Sequence, residues 1–242
     1  MISEKLAEQL GTWTCLYPFF EGLQWMNVKE GIRPDINKIT PKVENWFKAF
    51  KETPFDEVKV VWLGMSPYYT VDNYTKDYVA DGLAFSTAQK HSVPPSLFKL
   101  YKGIEEDLWR GMNLAMDRRN NLEFLAHQGI LLLNAALTTP LGDSKKHLEI
   151  WTPFIKHVIG ILSKEKENLV FVSFGTPAAQ FMKYVDTTKH HVEQREHPAA
   201  SAYESRNWEH NKLFSKTNAY LDSVGKTEIL WDNYLVDQEV PF

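Results

Sequence analysis

The sequence predicts an α/β fold: three layers, α/β/α, around a central parallel sheet of four strands. Three observations carry this expectation. Short apolar runs recur at Val58–Leu63, broken only by Lys59, and at Ile130–Leu133 and Leu169–Val172, each soon followed by Gly or Asn. They are apolar at successive positions rather than at alternate ones, as in strands buried on both faces. Helical-period segments separate them, and strands alternating with helices imply βαβ crossovers with helices on both faces of the sheet. A chain of 242 residues with 43% hydrophobic content is long enough to bury such a core in one domain.

Taken in order, residues 3–46 read as two or three helices interrupted by Pro18, Gly22, Gly31, Pro34 and Pro41, with amphipathic stretches at Ser3–Leu10 and Pro41–Phe50. Residues 1–50 are taken as a helical part of the same single domain, 1–242. Val58–Leu63 is the first strand, and Gly64 to Pro67 is the loop at its carboxyl end. Gly82–Ser86 is expected to be a second short strand. Val93-Pro-Pro-Ser96 punctuates the chain before a helix at Leu97–Leu108. A short helix at Asn121–Gln128 feeds the strand ending at Asn134, and His147–Ser163 is a long helix with Ile150, Phe154, Ile155, Val158 and Leu162 on one face. Asn168–Phe174 is the next strand, followed by a helix at Thr176–Val185 and an extended piece before His197-Pro198.

Composition narrows the class. Charged residues are 24% and aromatics 13%, with 12 Gly and 12 Pro, which excludes a disordered or collagenous chain. The longest apolar runs, Gly129–Leu133 and Leu169–Phe174, are far below the ~18–20 residues a spanning helix needs, so no membrane segment is expected. Met1–Leu10 carries Glu4 and Glu8 with no apolar core, unlike a signal peptide, and Cys15 is the single cysteine. A cytoplasmic, reducing location and a monomer are the expectation. The 27 Lys+Arg against 31 Asp+Glu give a net charge of −4, so any affinity for DNA has to come from a local basic face. Lys99, Lys102, Arg206, Lys212 and Lys216 are the candidates for it.

In open α/β sheets, ligands sit beyond the carboxyl ends of the strands. Here those ends carry Gly64–Tyr69, Phe85-Ser86, Asn134, Gly175-Thr176 and His197, which should converge on one pocket. Asn134 is a polar residue ending an all-apolar strand, better placed to read a ligand edge than to sit unpaired in a core. Of the 8 His residues, only His197 stands in a His-Pro context after an extended segment. His190-His191 lacks the companions of a metal site, and neither metal nor cofactor is expected.

Those segments, in this order and over most of the chain, resemble the uracil-DNA glycosylases. The run Thr53–Gly64 is similar to the family's approach to its water-activating loop, which normally continues Gln-Asp-Pro-Tyr-His and here continues Met65-Ser66-Pro67-Tyr68-Tyr69. Gly82-Leu-Ala-Phe-Ser86 resembles the segment whose Phe stacks on the flipped base. Pro94-Pro-Ser-Leu97 resembles the proline-rich loop that compresses the DNA backbone, and Gly129–Ala135 the strand whose Asn reads the uracil edge. Phe174–Gln180 is similar to a phosphate-gripping loop, and His197-Pro198 with Ser201 and Tyr203 to the loop carrying the catalytic His.

The resemblance implies a DNA N-glycosylase with DNA as its partner. It assigns His197 and Ser66 to catalysis; Met65, Tyr68, Phe85 and Asn134 to the base; and Pro94, Pro95, Ser96, Gly175, Thr176 and Ser201 to the DNA backbone. Two departures weigh against full activity. Position 66 carries Ser where the family carries an Asp, and a hydroxyl supplies neither negative charge nor a base near pH 7. Asp72, Asp77 and Asp81 are the nearby acids that could substitute. The family's Leu wedge after His-Pro is also missing from Ala199-Ala200-Ser201, which leaves Arg206 or Trp208 as a replacement or the segment 204–212 as a plain exposed loop. The leading reading is an enzyme that excises uracil or a related modified pyrimidine with weakened or altered activity. The alternatives are an inactive glycosylase-fold binding module and a glycosylase for a bulkier modified base.

Overall fold

In the computed structural model, residues 2–110, 118–203 and 207–232 are described. Six strands occur among them: β1 (Ile39–Thr40), β2 (Val60–Gly64), β3 (Ile130–Asn134), β4 (Thr139–Pro140), β5 (Val170–Phe174) and β6 (His191–Arg195). The helices are α1 (Glu4–Leu10), α2 (Tyr17–Glu21), α3 (Leu23–Ile32), α4 (Lys48–Glu52), α5 (Pro95–Leu108), α6 (Glu123–Ala126), α7 (Leu148–Glu165), α8 (Thr176–Ala179), α9 (Pro198–Tyr203) and α10 (Leu213–Ser223). β2, β3, β5 and β6 form the central sheet in the order β3-β2-β5-β6 with every pairing parallel, while β1 and β4 make a two-residue antiparallel ladder.

The three apolar runs became β2, β3 and β5, and all five residues of each are buried. β6 is an edge strand and only partly buried, and it carries charge: Glu193 pairs with Arg195 at 2.6 Å and lies 3.0 Å from His191, while the exposed residue is Gln194. Charged side chains on an edge discourage pairing with another chain.

Side chains alternate across the sheet, so Trp62 and Phe174 face the same layer. There Trp62 stacks on Trp231 (5.7 Å, 14°) and meets Phe174 and Phe214 of α10 edge-on. A second aromatic cluster joins α7 to the N-terminal helices: Phe154 lies 5.1 Å from Phe19, 5.9 Å from Phe47 and 5.7 Å from Phe50. Trp151 of α7 adds to it and donates its indole N–H to Thr138 Oγ1 at 2.7 Å. No helix of the described residues is long and apolar enough to cross a membrane.

One expected strand is absent. Gly82–Ser86 forms a turn, and the fourth strand of the sheet is instead the extended piece before His197. The reason is backbone conformation: Gly82 has φ +101° and Phe85 φ +66°, values that a strand does not use. The segment makes one bond to the neighbouring strand, Ala84 N–H to Leu132 O at 2.9 Å. The helix expected over Thr176–Val185 is likewise divided, into α8 and a 3₁₀ turn at Met182–Tyr184, and the Pro41–Phe50 stretch into a 3₁₀ turn and α4.

Candidate active site

β2 and β3 end in register, Gly64 opposite Asn134. Paired residues of a parallel ladder point to one face, so the Asn134 amide lies across Gly64. A Cβ on Gly64 would stand 2.6 Å from Asn134 Oδ1 and 3.6 Å from Phe85 Cε2. The missing side chain is therefore what lets the amide and the phenyl ring share the strand end. Beyond it, Ala135 N–H donates to Gly64 O (2.9 Å) and Ala136 N–H to Met65 O (3.0 Å), which ties the two loops together. Asn134 is 5% exposed, yet no side-chain hydrogen bond to a described residue uses its amide. Its amide is not among the fully buried polar groups of the described residues, so two N–H donors and an acceptor oxygen stay open to solvent or to a ligand.

Phe85 is held in a conformation that is sparsely populated for a non-Gly residue and costs about 1 kcal/mol or more. Its neighbours impose it. The Asp81 carboxylate accepts from Leu83 N–H (3.1 Å) and Ser86 Oγ (2.6 Å), and the Tyr68 hydroxyl donates to Phe85 O (2.8 Å). Because that proton is committed to Phe85, the 3.0 Å contact between Tyr68 Oη and Ser96 Oγ has Ser96 as donor. Burial holds the Tyr68 phenol well above its usual range, so it remains a donor. Tyr68 thus links the loop after β2, the Phe85 segment and the first turn of α5. Pro94 and Pro95 stand at the start of that helix, Pro95 exposed, whereas the Ser96 hydroxyl is turned inward.

The Phe85 ring lies 4.9 Å from Phe174 and 5.6 Å from the imidazole of His197. His197 follows β6, and Gly175 follows β5 with φ +84°. A Cβ on Gly175 would be 3.2 Å from His197 Cβ, and Gly175 N–H donates to Arg195 O at 2.8 Å, so the two loops are in direct contact. Thr176 opens α8 there. His197 Nδ1 accepts from Ala199 N–H at 3.2 Å, so in the neutral ring the proton sits on Nε2. Burial lowers its pKa to about 4, slightly opposed by Glu196, and the ring is neutral at pH 7.

Asn134, Phe85, Tyr68, Ser96, Gly175 and His197 are thus joined by contacts at the carboxyl edge of the sheet. Met65 and Ser66 are half-buried in the loop between Gly64 and Tyr68, and no hydrogen bond to a described residue engages the Ser66 hydroxyl. Ser201 falls on α9, its side chain outside the described residues, as is Arg206. The three nearby acids are occupied elsewhere. Asp72 accepts from Tyr74 N–H, Thr75 N–H and Thr75 Oγ1; Asp77 pairs with Lys42 at 3.0 Å; Asp81 is buried under the Phe85 segment.

Trp208 is neither exposed nor a wedge. It is 4% exposed, donates its indole N–H to Glu196 O at 2.9 Å and packs on α5, where a Cβ on Gly103 would meet its ring at 3.0 Å. The expected basic residues partly converge around it. Lys99 and Lys102 line a cavity of about 150 Å³ with Glu106, Asn207 and Trp208, and Lys212 lines an adjoining groove of about 1030 Å³ with Arg110 and Arg195, to which Glu106, Asp107, Glu196 and Glu209 also contribute. Arg110 and Arg195 were not among the sequence candidates, since an isolated Arg in a helix-end or edge-strand context carries no motif. A second groove, of about 1120 Å³, lies among Val58, Lys59 and Gln128 at the amino ends of β2 and β3 and contains none of the site residues.

Comparison with known proteins agrees with this fold. The family model described as the uracil DNA glycosylase superfamily matches residues 50–222. A mimivirus uracil-DNA glycosylase structure superposes with TM-score 0.82 at 25% identity, covering 96% of this chain and 90% of that one. A mimivirus UNG variant in complex with UGI gives 0.84 at 24% over 96% and 91%. UNG from Nitratifractor salsuginis gives 0.61 at 18% over 88% and 94%, a likeness of fold.

Proposed function

The chain belongs to the uracil-DNA glycosylase superfamily, and on that premise we propose that it flips uracil or a related modified pyrimidine out of DNA and hydrolyses the N-glycosidic bond, at a rate limited by Ser66. The observation that carries this is the Asn134 amide, engaged by no described residue across Gly64 near the Phe85 ring, which itself lies 5.6 Å from the His197 ring. A base must leave the stack before an enzyme can act on it, and its Watson–Crick edge is then read inside the pocket. The Asn134 oxygen suits uracil N3–H and its NH₂ suits O4, a pattern that cytosine reverses. Phe85 offers a π-face to the base, and the Tyr68 ring, anchored at its hydroxyl, closes the pocket beside it.

In the reaction, the bond from C1′ to the base nitrogen breaks with its electron pair leaving on uracil, and a water oxygen bonds to C1′. The sugar becomes cation-like and the base anion-like. His197, neutral with its proton on Nε2, donates a hydrogen bond to the developing oxyanion at O2 and needs no proton from solvent beforehand. The water's proton passes to solvent, because Ser66 positions the water without acting as a base. Loss of a carboxylate at this position should cost about 10²- to 10⁴-fold in rate. Pro94, Pro95, Gly175, Thr176 and Ser201, with the backbone N–H of Ser96, are assigned to the DNA backbone.

The second reading, an inactive glycosylase-fold DNA-binding module, is favoured by the engagement of Asp72, Asp77 and Asp81, which leaves no described carboxylate to replace the one missing at 66. Single-turnover cleavage of uracil-containing single-stranded DNA, run beside a panel of modified bases, separates the two. Excision of any of these bases that disappears in His197→Ala supports the enzyme; no excision of any base, with DNA binding intact, supports the module.

A further inference from the structure

The segment between the Ser66 loop and Phe85 presents an aromatic side chain that the pocket does not use. Tyr74 is 83% exposed, and its ring lies 6.0 Å from that of His91 at 54°. The turn that carries it is not slack. Asp72 N–H donates to Asp77 O (2.8 Å), Val79 N–H to Thr70 O (3.1 Å) and Lys76 N–H to Asp72 O (3.0 Å), while Val71 and Tyr78 form an antiparallel bridge. Asp72 Oδ1 fixes the turn from within by accepting from Tyr74 N–H (2.9 Å) and Thr75 N–H (2.7 Å). Outside it, Lys42 holds Asp77, and Gln89 donates to Tyr78 O at 3.0 Å. Ordering a backbone this fully costs conformational entropy, and here the result is an aromatic ring held out in water.

The segments that carry the two rings also carry lysines: Lys76 is two residues beyond Tyr74, and Lys90 directly precedes His91. Lys76 and Lys90 are exposed and form no ion pair with a described residue, while the carboxylates of the turn, Asp72 and Asp77, accept the bonds just given. An exposed π-face on segments that also carry free ammonium groups suits a ligand that joins an aromatic ring to an anion, as each nucleotide does. The turn follows the candidate site in the chain: Tyr69, 38% exposed, directly follows Tyr68, and Thr70 O accepts from Val79 N–H at the base of the hairpin that carries Tyr74.

We propose that Tyr74 and His91, with Lys76 and Lys90, form a stacking platform for an unpaired base of the DNA strand that flanks the nucleotide held in the active site. The inference rests on the glycosylase reading and adds a second DNA contact to it. The phosphates on either side of the stacked base meet the two lysines, and the site takes single strands, since a base inside a duplex already has both faces covered.

The test is fluorescence anisotropy with a labelled single-stranded oligonucleotide and its duplex, neither containing uracil, for the full chain and for Tyr74→Ala and Tyr74→Phe. Truncating a base-stacking aromatic weakens single-strand binding by about 5- to 100-fold. Tyr74→Ala should show that loss on the single strand and little change on the duplex, and Tyr74→Phe should bind as the unmodified chain does. A 2-aminopurine placed two or three positions from a non-cleavable uracil analogue should be quenched in the unmodified chain and not in Tyr74→Ala. Equal binding by Tyr74→Ala overturns the proposal, as does an equal loss on duplex or an equal loss in Tyr74→Phe. If the unmodified chain excises uracil while Tyr74→Ala binds normally, the platform alone fails. If the unmodified chain neither binds DNA nor excises a base, the glycosylase reading fails with it.

Discussion

Asn134 Oδ1 occupies the space that a side chain on Gly64 would need, 2.6 Å from the position of its Cβ. Gly64 is not in the left-handed region, so alanine is acceptable to the backbone there and the conflict is confined to the Asn134 amide, since Ala84 Cβ at 3.4 Å and Phe85 Cε2 at 3.6 Å are ordinary contacts. Gly64→Ala should therefore leave the fold intact, with a loss of at most about 1–3 kcal/mol from overpacking, while lowering uracil excision by about 10²-fold through displacement of the reading group by ~1 Å. Denaturant unfolding and single-turnover kinetics on the same sample check it; a variant as active as the parent removes Asn134 from the role assigned to it.

Ser66→Asp should raise uracil excision, but by less than the about 10²- to 10⁴-fold that a well-placed carboxylate supplies. Met65 and Tyr69 also shape the loop, and a misplaced carboxylate recovers only part of the effect. The comparison is of single-turnover rates at saturating enzyme. An unchanged rate from an already efficient parent shows that no carboxylate is needed at 66.

For His197 the pH dependence has a definite sign. Its folded pKa, about 4, lies below the ordinary 6.5, so the unfolded chain binds the extra proton first as pH falls. The stability this contributes is whole above pH 6.5 and is lost between 6.5 and 4, by about 1.4 kcal/mol per pH unit and up to about 3 kcal/mol in all. Burial lowers the pKa of His147 and His190 as well, which adds to the acid loss in the same direction. NMR titration should show the His197 ring neutral at pH 5. A midpoint near 6.5 contradicts the buried, Nε2-protonated donor.

Removing the Tyr68 hydroxyl with Tyr68→Phe leaves the Phe85 carbonyl and the Ser96 hydroxyl without their partner. Loss of stability by about 1–3 kcal/mol is expected from the unpaired groups. Excision should fall with it, because Phe85 is then free to leave φ +66°. Thermal unfolding read beside base affinity tests this: a stability loss with unchanged affinity separates Tyr68 from the positioning of Phe85.

The sheet was legible because its signal is local. Val60–Gly64 and Ile130–Asn134 are apolar at every position up to their ends, and Val170–Phe174 at all but Ser173, as burial on both faces favours in a central parallel strand. The order of the loops at those ends, and with it the family, could be read the same way, one short segment at a time. Gly82–Ser86 misled for the same reason. Its composition suits a strand, but its backbone is set by Tyr68 and Asp81, through contacts that composition does not encode.

The candidate residues of the site were therefore legible in the sequence, whereas their hydrogen-bond partners were decided by the tertiary structure. That Asp72, Asp77 and Asp81 are spent on Thr75, Lys42 and Ser86, that Trp208 is a wall rather than a wedge, and that Arg110 and Arg195 share a groove with Lys212 all depend on partners distant in the chain or on how loops close. So does the proton on His197 Nε2, which follows from a backbone N–H two residues on and from the burial that Phe85 and Gly175 impose. Periodicity reports how much of a segment is hidden from water. Hydrogen-bond partners and pKa values are properties of the pocket's closure, and exist only once the strand ends have been brought together.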